Sequence, residues 1–369
     1  MKLKKLVVSC GGTGGHFYPG LSLAREFQEK YGEVLLLLSG AHAVEQSRIA
    51  EKSGIRAVAL PSMPHYRKNP FRFISGFLGG YFAARRQLKE FLPQAMLGMG
   101  SFATLPVVLA AKSCRIPLFL HDGNARVGRA NRKFSKWAGF AGTAFPAVNA
   151  VECRCPVLET GMPLRPELLR SAPADKAAAV EAVNREFSTV FSAEKPLFLI
   201  TGGSQGAAVF NQVLPEALSA LPGEFQVIHL CGKGKLADAQ KGYEKARFPY
   251  LLQETTGKMA EVMAACDLAF SRSGGSTAAE LAFFGVPSVL IPYPYAAEGH
   301  QMDNARHFES HGAAIVVENS QLTGERVQEI IRDYLDDPEK FLEMGRQMKY
   351  LSRPEASMRM IERISAHLH

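Results

Sequence analysis

The sequence predicts an α/β protein built as two doubly wound halves, and three observations predict it. Short apolar runs alternate with helical stretches along the chain, the pattern of parallel sheets covered on both faces. The second half restarts the grammar of the first, where "PLFLITGGSQGAAVFNQVLPEAL" repeats strand, glycine loop and helix from Pro196 to Leu218. The chain has 369 residues, 47% of them hydrophobic and 21% charged. That length suits two domains, and that composition suits two cores rather than a disordered chain.

The elements follow in order. "KKLVVSC", "EVLLLLSG", "AMLGMG" and "IPLFLH" read as strands of the first half. "PLFLITG", "FQVIHLCG", "LAFSRS" and "PSVLIPY" read as strands of the second. The joint is placed in "PVLETGMPLRPELL", where Pro156, Pro163 and Pro166 flank a glycine. "APADKAAAVEAVNREF" reads as one surface helix, and the chain from Pro338 onward is helical and charged. The uncharged run Phe91 to Ala111 is broken by Pro93, Gly98, Gly100 and Pro106, so it reads as strand, loop and helix. No bilayer crossing is expected. The apolar stretch before Cys10 is too short for an export signal. The six cysteines are scattered, with no histidine near Cys153 and Cys155, so reduced thiols in a cytosolic protein are expected and zinc is not.

Charge divides the chain unevenly. The formal net charge is +8, but residues 1–160 hold 22 Lys/Arg against 9 Asp/Glu, while the remainder holds 21 against 26. A half at +13 suits an anionic partner such as a membrane surface, a nucleic acid or a phosphorylated substrate; a solvated basic face is the plainer alternative. No nucleic-acid motif accompanies the charge.

Three glycine loops follow strands and open helices: "CGGTGGHFYPG" from Cys10 to Gly20, "GGSQG" from Gly202, and "GGSTAAELAFFG" from Gly274. Bare N–H groups at helix N-termini favour an anion such as a diphosphate. None matches the dehydrogenase GxGxxG or the P-loop. Two such halves, facing each other, would hold a phosphorylated ligand in a cleft at the carboxyl ends of the strands. His16 is what a structural turn does not require. Thr277 and Glu280 have capping-box spacing, and Glu280 alternatively accepts both hydroxyls of a ribose. His300, Gln301 and Asn304 follow a strand in a proline-bounded loop, and their amide groups suit sugar hydroxyls.

Taken together, "GGTGGHFYPGLSLA", "HDGNARVGRANR", "GMPLR", "GGSQGAAVFNQVLP" and "SRSGGSTAAELAFFGVPSVLIPYPYAAEGHQMDNA" resemble the MurG family, from the first strand to about residue 318. The resemblance implies a GT-B fold of two Rossmann-like domains facing a central cleft. It also implies an inverting transfer of GlcNAc from UDP-GlcNAc to lipid I on the cytoplasmic membrane face, making lipid II, with no cofactor. Domains are expected at 1–162 and 163–345, with a helix in 346–369 returning to the first. Donor contacts implied by the resemblance fall on Thr13, Gly14, Gly15, Asn124 and Arg165. Ser204, Gln205 and Gly206 would lie near the diphosphate. Ser276, Thr277 and Glu280 would grip the nucleotide, Gln301 would meet the sugar, and backbone near Thr256 would read the uracil.

Two departures stand out. "HDGN" replaces the usual "HEQN", and "GMPLR" the usual "GNPVR", which alters Asp122, Gly123 and Met162. One displacement needs one general base, and histidine, which titrates near neutrality when unperturbed, suits it. His16 is the choice, with His121 less favoured because it follows "PLFL" directly. No Asp-x-Asp follows a strand, so no metal is called for, and departing UDP is left to helix N-termini and backbone donors. The rivals are a UDP-GlcNAc 2-epimerase and a non-catalytic nucleotide-sugar binder. Finally, His65 to Leu92 interleaves Arg67, Lys68, Arg72, Arg85 and Arg86 with Phe71, Phe73, Ile74, Phe77, Leu78, Tyr81 and Phe82. The segment reads either as a buried helix face or as a helix lying on an anionic membrane.

Overall fold

The computed structural model describes residues 3–12, 14–62, 70–203 and 205–368, without the side chains of Pro70 and Arg72. Thr13, Arg67, Lys68 and Ser204, all singled out above, therefore lie outside the described residues, as does the side chain of Arg72. The chain forms two compact units, 1–166 with 353–369, and 167–352.

In unit 1 the order is β1 (Lys5–Gly11), α1 (Gly14–Lys30), β2 (Glu33–Ser39), α2 (Ala43–Lys52), β3 (Ala57–Ala59), α3 (Pro70–Phe91) and β4 (Ala95–Gly98). Next come α4 (Leu105–Ser113), β5 (Leu118–Asp122), α5 (Arg129–Phe134), β6 (Ala138–Thr143) and β7 (Val157–Glu159). All seven strands are parallel, in the order β3-β2-β1-β4-β5-β6-β7. Successive side chains of a strand point to opposite faces, and β1 shows the consequence. Leu6, Val8 and Cys10 join Phe17, Leu21 and Phe27 of α1 on one face. Val7 joins Ala84, Leu88 and Phe91 of α3 and Val107 of α4 on the other. Both faces are covered, so the strands read as continuous apolar runs.

Unit 2 comprises α6 (Pro166–Arg170), α7 (Lys176–Phe187), β8 (Leu197–Thr201), α8 (Ala208–Ser219), β9 (Gln226–Leu230), α9 (Leu236–Gln240), β10 (Tyr250–Gln253) and α10 (Met259–Ala265). It continues with β11 (Leu268–Ser271), α11 (Gly275–Phe284), β12 (Ser288–Leu290), α12 (His300–Glu309), β13 (Ala314–Val316), α13 (Gly324–Asp336) and α14 (Pro338–Tyr350). Its parallel sheet runs β10-β9-β8-β11-β12-β13, the doubly wound order again.

The last helix, α15 (Ala356–His367), belongs to unit 1. Met360, Ile361 and Ile364 are at most 1% exposed and complete the core beneath α1, while the His367 ring stands edge-on to Phe119 at 5.3 Å. The boundaries fall at 166/167 and 352/353, later than the expected 162/163 and 345/346. The physical reason at the second is α14. It lies against α11 in unit 2, where Gly345 packs on the Gly285 carbonyl too closely for any side chain. Arg165, expected in the second domain, lies in unit 1.

Candidate active site

The sheet of unit 1 reverses its strand order between β1 and β4, which opens a crevice at their carboxyl ends. Into it runs the first glycine loop. α1 starts at Gly14, five residues before Pro19, which is the sixth residue of the helix and not its opening one. Lacking an N–H, Pro19 removes the bond that would reach back to the Gly15 carbonyl. Gly14 and Gly15 are exposed in the first turn, and His16 projects, half-buried, from that turn rather than from a loop.

His16 Nδ1 lies 2.9 Å from the Met99 carbonyl oxygen. A carbonyl only accepts, so Nδ1 carries the proton and Nε2 keeps its lone pair. The loop after β4 supplies this anchor. Gly100, at φ +91°, runs beside the imidazole, where a Cβ would lie 3.2 Å from His16 Cε1. Ser101 follows at φ +73°, a strained conformation for a residue with a side chain. Its hydroxyl accepts the Ala103 N–H at 3.2 Å. The sequence signal was present in "GMGS" after a strand, but the glycines were absorbed into the strand itself.

β5 ends in His121 and Asp122. His121 is 1% exposed, its Nε2 2.8 Å from the Gly161 carbonyl. Burial lowers its pKa, and a charge on nearby His16 would lower it further. It is a core group. Asp122, 4% exposed, accepts from the Gly128 N–H at 2.8 Å, from Asn131 Nδ2 at 3.0 Å and from Asn124 Nδ2 at 3.2 Å. The shortened acid thus braces its own loop and aims the Asn124 amide. Asn131 also donates to the His121 carbonyl at 3.0 Å. The two departures prove to be one change in space: a Cβ on Gly123 would lie 2.9 Å from Met162 Cε. Methionine fills the volume that glycine vacates.

In unit 2 the order reverses between β8 and β11, and the second and third glycine loops follow these strands. Gly206, at φ +63°, packs on the Cys231 carbonyl so closely that only glycine fits. Gln205 is exposed, and its carbonyl accepts from Lys235 Nζ at 2.8 Å. The helix after the third loop begins at Gly275 with Gly274 as N-cap. The capping box expected of Thr277 and Glu280 is therefore absent, because the glycines start the helix two residues before Thr277. Ser276 and Thr277 sit half-buried in the first turn, and Glu280 is 8% exposed in the second. A Cβ on Gly203 would lie 3.9 Å from Thr277 Oγ1, so the two loops converge.

The loop after β12 is fastened to the third glycine loop. Tyr293 N–H donates to Gln301 Oε1 at 2.9 Å, and Ser273 Oγ donates to the Gln301 carbonyl at 2.8 Å. Asn304, expected on the sugar, is 0% exposed and donates to the Ser273 carbonyl at 2.9 Å. It supports the loop from beneath. His300 opens α12 with its Nδ1 2.8 Å from the Ala297 carbonyl. Thr256 lies in the loop after β10, its hydroxyl accepting the Lys258 N–H at 2.8 Å. Arg272 escaped the sequence reading. Its guanidinium donates to the carbonyls of Ile291 and Pro292 and to Asn319 Oδ1, and lies 4.7 Å over the Phe210 ring. Burial lowers its pKa to about 10, which still leaves it charged at neutral pH. Among the described residues, no cluster of three His, Cys, Asp or Glu forms a metal site.

Two doubly wound sheets, each with a glycine loop at its reversal point, make up the GT-B fold used by glycosyltransferases. Residues 6–142 match the N-terminal domain of glycosyltransferase family 28, and residues 197–360 match its C-terminal domain. The structure is similar to the crystal structure of Acinetobacter baumannii MurG, with a TM-score of 0.79 and 27% identity over 98% of this chain and 99% of that one. A Neisseria meningitidis UDP-GlcNAc 2-epimerase bound to UDP-GlcNAc shares the fold, with a TM-score of 0.70 and 14% identity over 98% and 99%. In sequence the chain is 32% identical to the UDP-N-acetylglucosamine–N-acetylmuramyl-(pentapeptide) pyrophosphoryl-undecaprenol N-acetylglucosamine transferase of Desulforamulus reducens, over 95% of each chain. The Geobacter sulfurreducens enzyme of the same name is 32% identical over 98% of each. The chain belongs to this transferase family, known as MurG.

Proposed function

We propose that the protein transfers N-acetylglucosamine from UDP-GlcNAc to the C4 hydroxyl of the muramyl sugar in lipid I, inverting the anomeric centre and forming lipid II. His16 is the general base. The observation that carries this role is the hydrogen bond from His16 Nδ1–H to the Met99 carbonyl, which leaves Nε2 as the basic nitrogen beside the first glycine loop. A ring so tethered has its tautomer chosen before substrate arrives. As the bond from the anomeric carbon to the diphosphate breaks, the C4 oxygen forms the new bond and Nε2 takes its proton. UDP leaves with the electron pair. N–H groups at the starts of α8 and α11 face that developing charge, and the fixed guanidinium of Arg272 adds to the positive potential. Glu280 accepts the ribose hydroxyls, and Gln301, its carboxamide oxygen already tied to Tyr293, offers its NH2 to the sugar.

The acceptor is a lipid, so the enzyme works peripherally on the cytoplasmic face of the membrane. α3 supports this assignment. Phe71, Ile74, Leu78 and Phe82 are 84%, 52%, 46% and 62% exposed, one apolar stripe at helical spacing. Arg85, Arg86 and Lys89 lie on the same helix, within the half of the chain that carries +13.

Incubation with UDP-GlcNAc, with and without lipid I, tests the function. UDP release that requires lipid I is expected. Conversion of UDP-GlcNAc without any acceptor would establish an epimerase, and binding without turnover in either mixture would leave a nucleotide-sugar binder.

A further inference from the structure

Beneath the second glycine loop runs a chain of polar groups that never meets solvent. His229 of β9 is 0% exposed, with Nδ1 3.2 Å from the Tyr243 hydroxyl and Nε2 3.1 Å from Asn211 Oδ1. Asn211, 2% exposed near the start of α8, donates Nδ2 to the Cys231 carbonyl at 3.2 Å. The directions are forced. The Cys231 carbonyl needs a donor, so the amide turns its NH2 there and its oxygen toward the histidine. That oxygen only accepts, so Nε2 bears the proton and Nδ1 accepts from the Tyr243 O–H. All three bonds point the same way, from tyrosine to carbonyl, and each polarises the next. Burial lowers the His229 pKa to about 3, so the neutral ring and this direction hold across the physiological range.

The end of the chain gives it a consequence. The Cys231 carbonyl is the group against which Gly206 packs with no room for a side chain. Gly232 closes on the same segment from the other side, where a Cβ would lie 2.7 Å from the Gln205 carbonyl oxygen. A shift of the Cys231 carbonyl must therefore displace Gln205 and Gly206. A core histidine needing only satisfaction would not have to end its bonds on this carbonyl.

We propose that His229 is a positioning residue, which acts through Asn211 and the Cys231 carbonyl to fix the backbone at Gln205 and Gly206, in the second glycine loop, for the diphosphate of the nucleotide sugar. The proposal rests on the reading of that loop as the diphosphate site. His229 touches neither substrate nor reacting atoms. Its contribution is geometry: a loop that already holds its N–H groups in place loses less freedom when the anion binds.

The test is equilibrium titration of the full chain with UDP and with uridine, below the melting temperature of each variant. The parent should bind UDP more tightly than uridine, a preference that itself tests the diphosphate reading. His229→Leu should weaken UDP about tenfold, the effect of disturbing one or two hydrogen bonds, and uridine no more than about twofold. His229→Gln, which can still donate to Asn211, should recover most of the difference. Tyr243→Phe keeps the stacking on Tyr250 at 4.4 Å but removes the first donor, and should lower the UDP-to-uridine ratio by a smaller factor. Should His229→Leu fail to fold, Tyr243→Phe decides by the same ratio. Variants that melt earlier yet keep the parental ratio would reduce His229 to a core group and overturn the proposal. A parent without any preference for UDP would remove the diphosphate reading and the proposal with it.

Discussion

His16 is half-buried, proton on Nδ1, and tied to a loop that the helix itself does not contain. Replacing it with alanine removes the proposed base but leaves both glycine loops of unit 2 intact. His16→Ala should cut turnover by roughly 10²–10⁴-fold, the usual range for a lost general base, with UDP affinity within a few-fold of the parent. Steady-state turnover alongside UDP titration reads both, and turnover close to the parent's would make the ring structural. A second residue-scale prediction concerns Gly123 and Met162. Gly123→Gln alone should destabilise unit 1 by about 1–3 kcal/mol through overpacking against Met162. Met162→Ala alone should cost about 2–5 kcal/mol through the cavity it leaves. Because one side chain occupies the other's volume, the double variant should be more stable than the sum of the two losses by about 1 kcal/mol or more. Denaturant melts of the four proteins measure the coupling, and strict additivity would refute it.

At the scale of elements, α3 is divided lengthwise. Ala84, Leu88 and Phe91 are at most 5% exposed and face the sheet, while Phe71, Ile74, Leu78 and Phe82 face outward. The buried-face reading holds for Ala84, Leu88 and Phe91, while the outward stripe is the face that the membrane proposal needs, since one helix has two faces. Ile74→Ser, Leu78→Ser and Phe82→Ser together should lower partition onto anionic vesicles about tenfold or more, because each buried apolar side chain contributes on the order of 1 kcal/mol or more. The melting temperature should hold, as the three are not core residues. Salt should weaken binding by the parent through its basic side chains. Arg86 will count for less than Arg85, because its guanidinium already lies 3.7 Å from Glu90. Sedimentation with vesicles checks this, and undiminished binding by the triple variant would move the membrane contact off α3.

For the whole molecule, buried histidines make acid a common stress on both units. His229 in unit 2 has its pKa lowered to about 3 from 6.5, and His121 in unit 1 is lowered too, desolvation being the largest cause for each. The sign follows from the lowered value. Above pH 6.5 the rings are neutral whether folded or not, and contribute no pH dependence. Below it the unfolded chain takes up protons that the folded chain refuses, so stability falls as pH drops from about 6.5 toward 3, and flattens below that for His229. Over its whole shift His229 alone would lose about 5 kcal/mol. Urea midpoints at pH 7.5, 6 and 5 should decline, and His229→Leu should decline less steeply. Equal slopes for parent and variant would contradict the assignment.

Reading the chain from its residues went furthest where local chemistry decides. Apolar runs such as "KLVVSC" and "PLFLIT" are strands because both faces of a parallel sheet are covered, and the glycine loops announce helix starts at reversal points. The resemblance carried by those loops sufficed to name the family. Strands at or next to the sheet edges were missed: β6, "AGFAGT", the four-residue β10, "YLLQ", and the three-residue β3, β7 and β13 are too short or too weakly patterned to register. The residues themselves singled out His16, Gln301 and Glu280 as candidates, and the resemblance added Asn124. The sequence could not assign the proton on His16, since that depends on Met99, 83 residues away. Nor could it separate Asn304, turned inward under Ser273, from Gln301 three positions earlier. The exchange of volume between Gly123 and Met162 and the chain from Tyr243 to Cys231 join residues distant in sequence, whereas the acid brace of Asp122 closes locally, onto Asn124, Gly128 and Asn131. Local pattern sets which backbone forms and which groups lie near its ends; which of them ends up buried, braced or free to act is decided by packing, because only packing brings distant partners within hydrogen-bond distance.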